Sequence, residues 1–113
     1  SVMSAGSRSG WEPIFENLCK NAIDAMDGEG HIEITLSNND SRYYIDIKDS
    51  GKGIARNRFK TIFHPGYTTK RRGWGLGLTL VKRIIEEYHD GRIYVKESEL
   101  GKGTTFRIEM KLL

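Results

Sequence analysis

A chain of 113 residues suits one domain with a single core burying about two-thirds of the unfolded surface, and excludes a second. Hydrophobic residues make up 37% and charged residues 29%, an ordinary balance for a globular protein, and no apolar run approaches the roughly 20 residues of a membrane helix. The formal charge of +3, with both signs mixed, is too small to assign a nucleic-acid or anionic partner by itself. The single cysteine, Cys19, cannot close an internal disulfide, so the cytoplasm is the expected compartment. Cys19 itself is expected as a small buried apolar residue.

Ser1 to Gly10 is small and polar, without the basic-then-apolar pattern of a signal peptide. It is expected to be a disordered or cloning-derived lead-in to one domain over 11–113. Pro13 suits a helix first turn, and Ile14, Leu18, Ala22 and Met26 recur every four residues, so the spacing predicts an amphipathic helix from Trp11 to Asp27. Gly28 and Gly30 end it. From His31 to Ser37, Ile32, Ile34 and Leu36 alternate with polar residues, the period of a half-buried strand. After the polar turn Asn38–Ser41 a second strand follows, Arg42 to Asp49, with Tyr43, Ile45 and Ile47 on one face.

Beyond Gly51 and Gly53, a short helical piece is expected over Arg56 to Ile62, then an irregular loop from His64 to Gly75. Leu80, Val81, Ile84, Ile85 and Tyr88 form an apolar stripe at helical spacing, predicting a helix from Leu76 to Tyr88 that Gly91 stops. Arg92 to Glu97 and Thr104 to Leu112 alternate as two more strands about the turn Leu100–Gly103. Helix, hairpin, helix, hairpin is not the regular alternation of a doubly wound parallel sheet. It implies an α/β (α+β) two-layer sandwich, a mostly antiparallel mixed sheet packed against about three helices.

Three constellations carry chemistry. Asn17 and Asn21 lie one turn apart on a single helix face. Two neutral oxygens so placed could help hold Mg²⁺, a hard cation that completes its shell with water and phosphate oxygens; equally, asparagines on a helix face are commonly solvated or bonded locally. Asp49-Ser50-Gly51-Lys52-Gly53 follows directly on a strand. There the carboxylate could accept a hydrogen bond from an exocyclic amine while the glycines let a planar base approach, though an ordinary turn reads the same way. Gly73-Trp74-Gly75-Leu76-Gly77-Leu78 opens a helix, and unpaired first-turn N–H groups with the helix dipole make a natural phosphate site. Lys70, Arg71 and Arg72 add positive charge just before it. The dinucleotide-binding fingerprint fails because no strand leads into these glycines, and no Gly-Lys-Ser/Thr satisfies the Walker pattern.

In order along the chain, these segments resemble the histidine-kinase branch of the GHKL ATPases, the group that also holds DNA gyrase, the mismatch-repair ATPases and a heat-shock chaperone. Glu16 to Ala22 resembles the N box, Asp49 to Gly53 the first glycine box, Phe63 to Lys70 the F box and the start of the ATP lid, and Gly73 to Gly77 the second glycine box. Gly101 to Phe106 is similar to the Gly-Thr turn closing the adenine pocket. The resemblance spans about 12–112 and implies the Bergerat fold. It further implies ATP and Mg²⁺ as cofactors, Asn21 as the principal Mg²⁺ ligand with Asn17 assisting, and Asp49 as acceptor for the adenine amino group. Gly51, Gly53 and Ile54 would shape the base pocket, and Thr104 or Thr105 would bond its other side. Lys70, Gly73, Gly75 and Gly77 would face the phosphates, with Leu76 and Leu78 packed under the lid. Trp74 stands where the family more often has a small or polar residue, and the lid from about Gly66 to Arg72 is short.

The ATP-hydrolysing relatives place a glutamate four residues before the Mg²⁺ asparagine, where it can act as general base. Here that position holds Asn17, and Glu16 is rotated about 100° further round the helix. An amide cannot take a proton from water, so the expected chemistry is transfer of the γ-phosphoryl to a histidine, which asks mainly for positioning and charge neutralisation. His31, His64 and His89 sit at a strand start, in a loop and at a helix end. The acceptor is therefore expected on a separate dimerising domain, with a response regulator downstream. This chain is expected to be the isolated catalytic fragment of a kinase whose parent could be membrane-anchored, itself touching neither nucleic acid nor membrane. The competing readings are a non-catalytic nucleotide-binding module and a GHKL ATPase or serine kinase.

Overall fold

The computed structural model describes residues 11–64, 77–88 and 90–111. Helix α1 (Glu12–Ala25) carries Pro13 in its first turn and buries Ile14, Leu18 and Ala22, the four-residue stripe of the sequence. It stops two residues short of the expected end because Asp27 (φ 55°) and Gly28 (φ 85°) turn left-handed, and the Gly28 N–H reaches back 2.9 Å to the Ile23 carbonyl. Cys19 lies on the flank of this helix and is only partly buried, not within the core as expected.

Strands β1 (Ile32–Asn38) and β2 (Arg42–Asp49) form the first hairpin. Its turn is closed by the Asn39 carboxamide oxygen, which accepts the N–H groups of Ser41 and Arg42, each at 2.9 Å. Strands β3 (Arg92–Glu99) and β4 (Gly103–Lys111) form the second. The hairpins join through β2 and β4, giving the order β1-β2-β4-β3. Every pairing among the described strands is antiparallel, so the parallel component of the expected mixed sheet is not found there.

Between the hairpins, the helical piece expected over Arg56–Ile62 is two 3₁₀ turns, Arg56–Arg58 and Thr61–Phe63. The N–H groups of Phe59 and His64 bond to carbonyls three residues back, the tighter geometry that short connectors adopt. Helix α2 (Gly77–Arg83) continues into a π-helical turn, Ile84–Tyr88, ended where the Gly91 N–H bonds the Ile85 carbonyl at 2.9 Å.

The two helices and the second 3₁₀ turn cover one face of the sheet. Ile14, Leu18, Val81 and Ile85 meet Ile47, Ile93, Val95, Phe106 and Ile108, with Ile62 and Phe63 closing the side. Phe63 meets Phe106 edge-on at 6.2 Å. Each fully buried aliphatic or aromatic side chain here contributes about 1.5–3 kcal/mol. The helical layer stops short of β1, so Ile34 and Leu36, expected to be half-buried, remain 49% and 74% exposed.

No described helix covers the opposite face, where polar side chains pack together. Arg107 grips Asp46 through Nε and Nη2, both at 2.8 Å, and stacks 4.5 Å above the Tyr44 ring. Lys96 reaches the same carboxylate at 3.5 Å. The Arg107 hydrogen bonds hold the Asp46 carboxyl below its ordinary range against the opposing effect of burial. Burial, reinforced by Glu109, pushes the Tyr94 phenol up.

Asp46→Ala is expected to destabilise the domain by about 1.5–3 kcal/mol at neutral pH, and Arg107→Ala in the same background should add much less than it does alone. Because the folded Asp46 pKa lies below the unfolded one, this stabilisation is full above the unfolded carboxyl value near pH 4 and is lost as pH falls through the folded value. Urea titrations from pH 7 to pH 2 should therefore show the variant's deficit shrinking below about pH 4.

Candidate functional site

The strand register assembles one end of the sheet. Ser98 of β3 pairs with Thr104 of β4, and Thr104 pairs with Asp49 of β2. The three form a polar row two residues beyond Ile47, on the helix-covered side. Asp49 and Thr104 are 5% and 4% exposed. One Asp49 oxygen, Oδ1, accepts the Gly51 N–H at 2.9 Å; no donor among the described residues reaches Oδ2. A buried acceptor left this way is costly unless a ligand satisfies it. Thr105 pairs with Lys48, and alternation turns it to the other face. Of the two threonines expected at the pocket, only Thr104 therefore shares the face of Asp49.

The Asp49–Ile54 loop is tied down on three sides. The Lys52 N–H bonds the Ala25 carbonyl at the end of α1 (2.9 Å), the Gly101 N–H bonds the Lys52 carbonyl (2.8 Å), and the Ile54 N–H bonds Ser98 Oγ (2.7 Å). Two glycines make this approach possible. At Gly53 (φ 80°) a Cβ would lie 2.3 Å from the Glu99 carbonyl oxygen, and at Gly103 (φ 138°) one would lie 2.0 Å from that of Asp49. Gly51 is buried in the same loop, and Ile54 packs partly buried against the core.

On α1, Asn17 Nδ2 donates to the Pro13 carbonyl at 2.8 Å. That bond assigns the amide orientation and leaves Oδ1 pointing off the helix. Oδ1 lies 3.2 Å from where a Cβ at Gly77 would be, so it faces the first residue of α2. Asn21 follows one turn later, partly buried. The start of α2 is anchored by Thr79 Oγ1, which donates to the Phe63 carbonyl at 2.8 Å, and Leu78 packs against the core. Asn17 of the N box and Gly77, the last residue of the second glycine box, thus lie side by side, with Phe63 of the F box bonded one turn along by Thr79. Glu16 lies on the outer side of α1, 59% exposed and 3.1 Å from Lys20. Lys70, Gly73, Trp74, Gly75, Leu76 and the lid lie outside the described residues. Among the described residues, no group of three or more His, Cys, Asp or Glu side chains could hold a metal ion.

Ser98 is the residue that sequence reading missed. Strict alternation from Ile93 and Val95 sends Glu97 inward and Ser98 outward. A bulge between Val95 and Glu97 shifts the register by one, and Ser98 arrives opposite Thr104.

Comparison with known proteins establishes the family and the fold. The family model described as "Histidine kinase-, DNA gyrase B-, and HSP90-like ATPase" matches residues 6–113, and the chain belongs to that family. Within it, the chain stands with the catalytic domains of sensor histidine kinases. It is 38% identical over 110 residues to sporulation kinase C of Bacillus subtilis (strain 168), covering 97% of this chain and 25% of that protein. It is 46% identical over 95 residues to sensor histidine kinase ZraS of Escherichia coli (strain K12), covering 84% and 20%. The chain thus spans a quarter or less of these two relatives. Among solved structures, full-length ShkA in complex with AMPPNP superposes with TM-score 0.78 at 30% identity, covering 90% of this chain and 21% of that one. Histidine kinase ThkA in complex with response regulator protein TrrA gives 0.75 at 31%, covering 92% and 29%.

The two kinds of glycine constraint are separable. At Gly101 (φ 82°) an added Cβ would meet nothing within 4 Å, so Gly101→Ala should cost only the left-handed backbone penalty, roughly 1–2 kcal/mol. Gly103→Ala must also push two strands apart and should cost at least about 1–3 kcal/mol more. Thermal unfolding of the two variants checks the ranking.

Proposed function

We propose that this domain binds Mg·ATP at the end of the sheet between α1 and α2 and donates the γ-phosphoryl group to a histidine on a separate helical dimerisation domain. The observation that carries the reading is the buried Asp49 carboxylate, whose Oδ2 has no donor among the described residues and which lies beside Thr104. An adenine amino group supplies the missing donor. Gly51, Gly53 and Ile54 border the base, and Thr104 bonds beside it. Asn21 and Asn17 offer amide oxygens to Mg²⁺, and the outward orientation of Asn17 Oδ1 toward Gly77 supports that role. The ion, when bound, neutralises charge on the phosphate oxygens. The resemblance assigns Lys70, Gly73, Gly75 and Gly77 to the phosphates and Leu76 and Leu78 to the lid; of these, Gly77 and Leu78 fall within the described residues.

Transfer is favoured over hydrolysis because Asn17 occupies the position of a general base and Glu16 is engaged on the solvent side by Lys20. The domain works in the cytoplasm in this reading, without membrane contact. No described helix is long and apolar enough to cross a membrane. The AMPPNP complex of ShkA and the ThkA–TrrA complex support a nucleotide and a response regulator as partners here too.

Calorimetric titration with ADP and ATP, with and without Mg²⁺, tests the site. Asp49→Ala should weaken ADP binding by about tenfold or more, the loss of a hydrogen bond to a charged group. Asn21→Ala should retain metal-free ADP binding and lose the enhancement by Mg²⁺; full affinity in Asp49→Ala would remove the adenine assignment. With γ-labelled ATP, the chain alone should stay unlabelled, and addition of a cognate histidine-bearing domain should place acid-labile label on that domain. Label on the chain by itself, or steady release of phosphate, would overturn the assignment as a transferase to histidine in trans.

A further inference from the structure

We infer that Ser98 sets the hydrogen-bond polarity of the purine pocket, making it a specificity-determining positioning residue that favours a 6-amino over a 6-oxo purine. The inference rests on the reading of Asp49 as the purine-binding carboxylate. Ser98 Oγ has three neighbours: the Ile54 N–H at 2.7 Å, the Gly103 carbonyl at 3.0 Å and Thr104 Oγ1 at 2.7 Å. A serine hydroxyl has one proton to give and two lone pairs to receive. The Ile54 N–H can only donate and the Gly103 carbonyl can only accept. All three contacts are therefore satisfied in one arrangement: Ser98 gives its proton to Gly103 and accepts from both Ile54 and Thr104.

That arrangement uses the only proton Thr104 has. What Thr104 then presents beside Asp49 is lone pairs, so the two buried groups paired across β4 and β2 are both acceptors. A pocket floor of two acceptors suits an amino group, which carries two N–H donors, and repels a carbonyl oxygen at the same ring position. Ser98 touches no ligand in this scheme. It acts through Thr104, and through Ile54 it also fixes the glycine loop against which the base lies. The bulge at Val95/Glu97 is what brings it there.

The test compares affinities for ADP and inosine diphosphate, which differ in the group at the purine 6-position and in the proton that the 6-oxo base carries on N1, in wild type, Ser98→Ala, Ser98→Thr and Asp49→Asn. Removing the serine hydroxyl frees the Thr104 proton, which can then serve an oxo group. Ser98→Ala should therefore lower the ADP to inosine diphosphate affinity ratio by about tenfold, the scale for mispairing a buried polar group. Ser98→Thr should keep the wild-type ratio. A merely structural role would weaken both ligands together and leave the ratio unchanged, and a ratio in Ser98→Ala within twofold of wild type overturns the inference. Should the alanine variant fail to fold, Ser98→Cys, similar in size and a weak hydrogen-bonding partner, carries the same comparison. Asp49→Asn separates the two levels. If it collapses the ratio while Ser98→Ala preserves it, only the role of Ser98 falls; if it leaves the ratio intact, the purine assignment of Asp49 falls and takes this inference with it.

Discussion

The pairing of β2 with β4 sets Ile47 opposite Phe106 and Asp49 opposite Thr104, and both the core and the site depend on that alignment. Side chains alternate faces along a strand, so a slip of one residue would turn Asp46 or Lys48 inward and carry Ile47 out to solvent. Such a slip is strongly opposed on both sides of the sheet. On one, Ile45, Ile47, Phe106 and Ile108 pack beneath the helices. On the other, the two-pronged grip of Arg107 on Asp46 forms between directly paired residues and holds only in this register. The ion pair thus belongs to the architecture of the site although it lies on the opposite face.

Within that register, the site is built mainly by backbone meeting backbone. The loop after Asp49 lies against the end of α1 and against the β3–β4 turn, held by main-chain hydrogen bonds from Lys52 and Gly101. A pocket walled this way has little freedom to reshape, because each wall is continuous with a strand or helix of the core. The proposed phosphate side has a different character. Its described part is the meeting of α1 with the first turn of α2, where Asn17 faces Gly77 and Thr79 holds the second 3₁₀ turn. The proposed base end is thereby tied to the sheet and the proposed metal end to two packed helices.

The uncovered face shows how a two-layer fold manages without a third layer. Asp46 and Glu109 retain only 13% and 12% of their side-chain exposure, although no described secondary-structure element lies above them. Tyr44 and Tyr94 with Arg107 and Arg92 provide the cover by stacking, each guanidinium over a ring. Long side chains that combine an apolar stem with a charged head suit this position.

Much was legible from residue order. Ile14, Leu18 and Ala22 announced the buried stripe of α1, alternation set both hairpins to within two residues at each strand end, and the asparagine and glycine boxes in series pointed to the nucleotide site. Local pattern suffices there because it is the cause: a four-residue stripe buries one helix face and a two-residue alternation one strand face. Three matters were decided only by the tertiary structure. Ile34 and Leu36 alternate correctly yet remain exposed, because burial needs a covering layer and the helices end before β1. The choice between Thr104 and Thr105 required the partner strand, since two adjacent residues differ only in which face the register assigns them. Ser98 was invisible because a single extra residue at Val95/Glu97 inverts the alternation beyond it, and a bulge is a property of two paired strands, not of one. The sequence by itself determined the class of the domain and the residue types its chemistry needs; the pairing of distant strands decided which of those side chains meet.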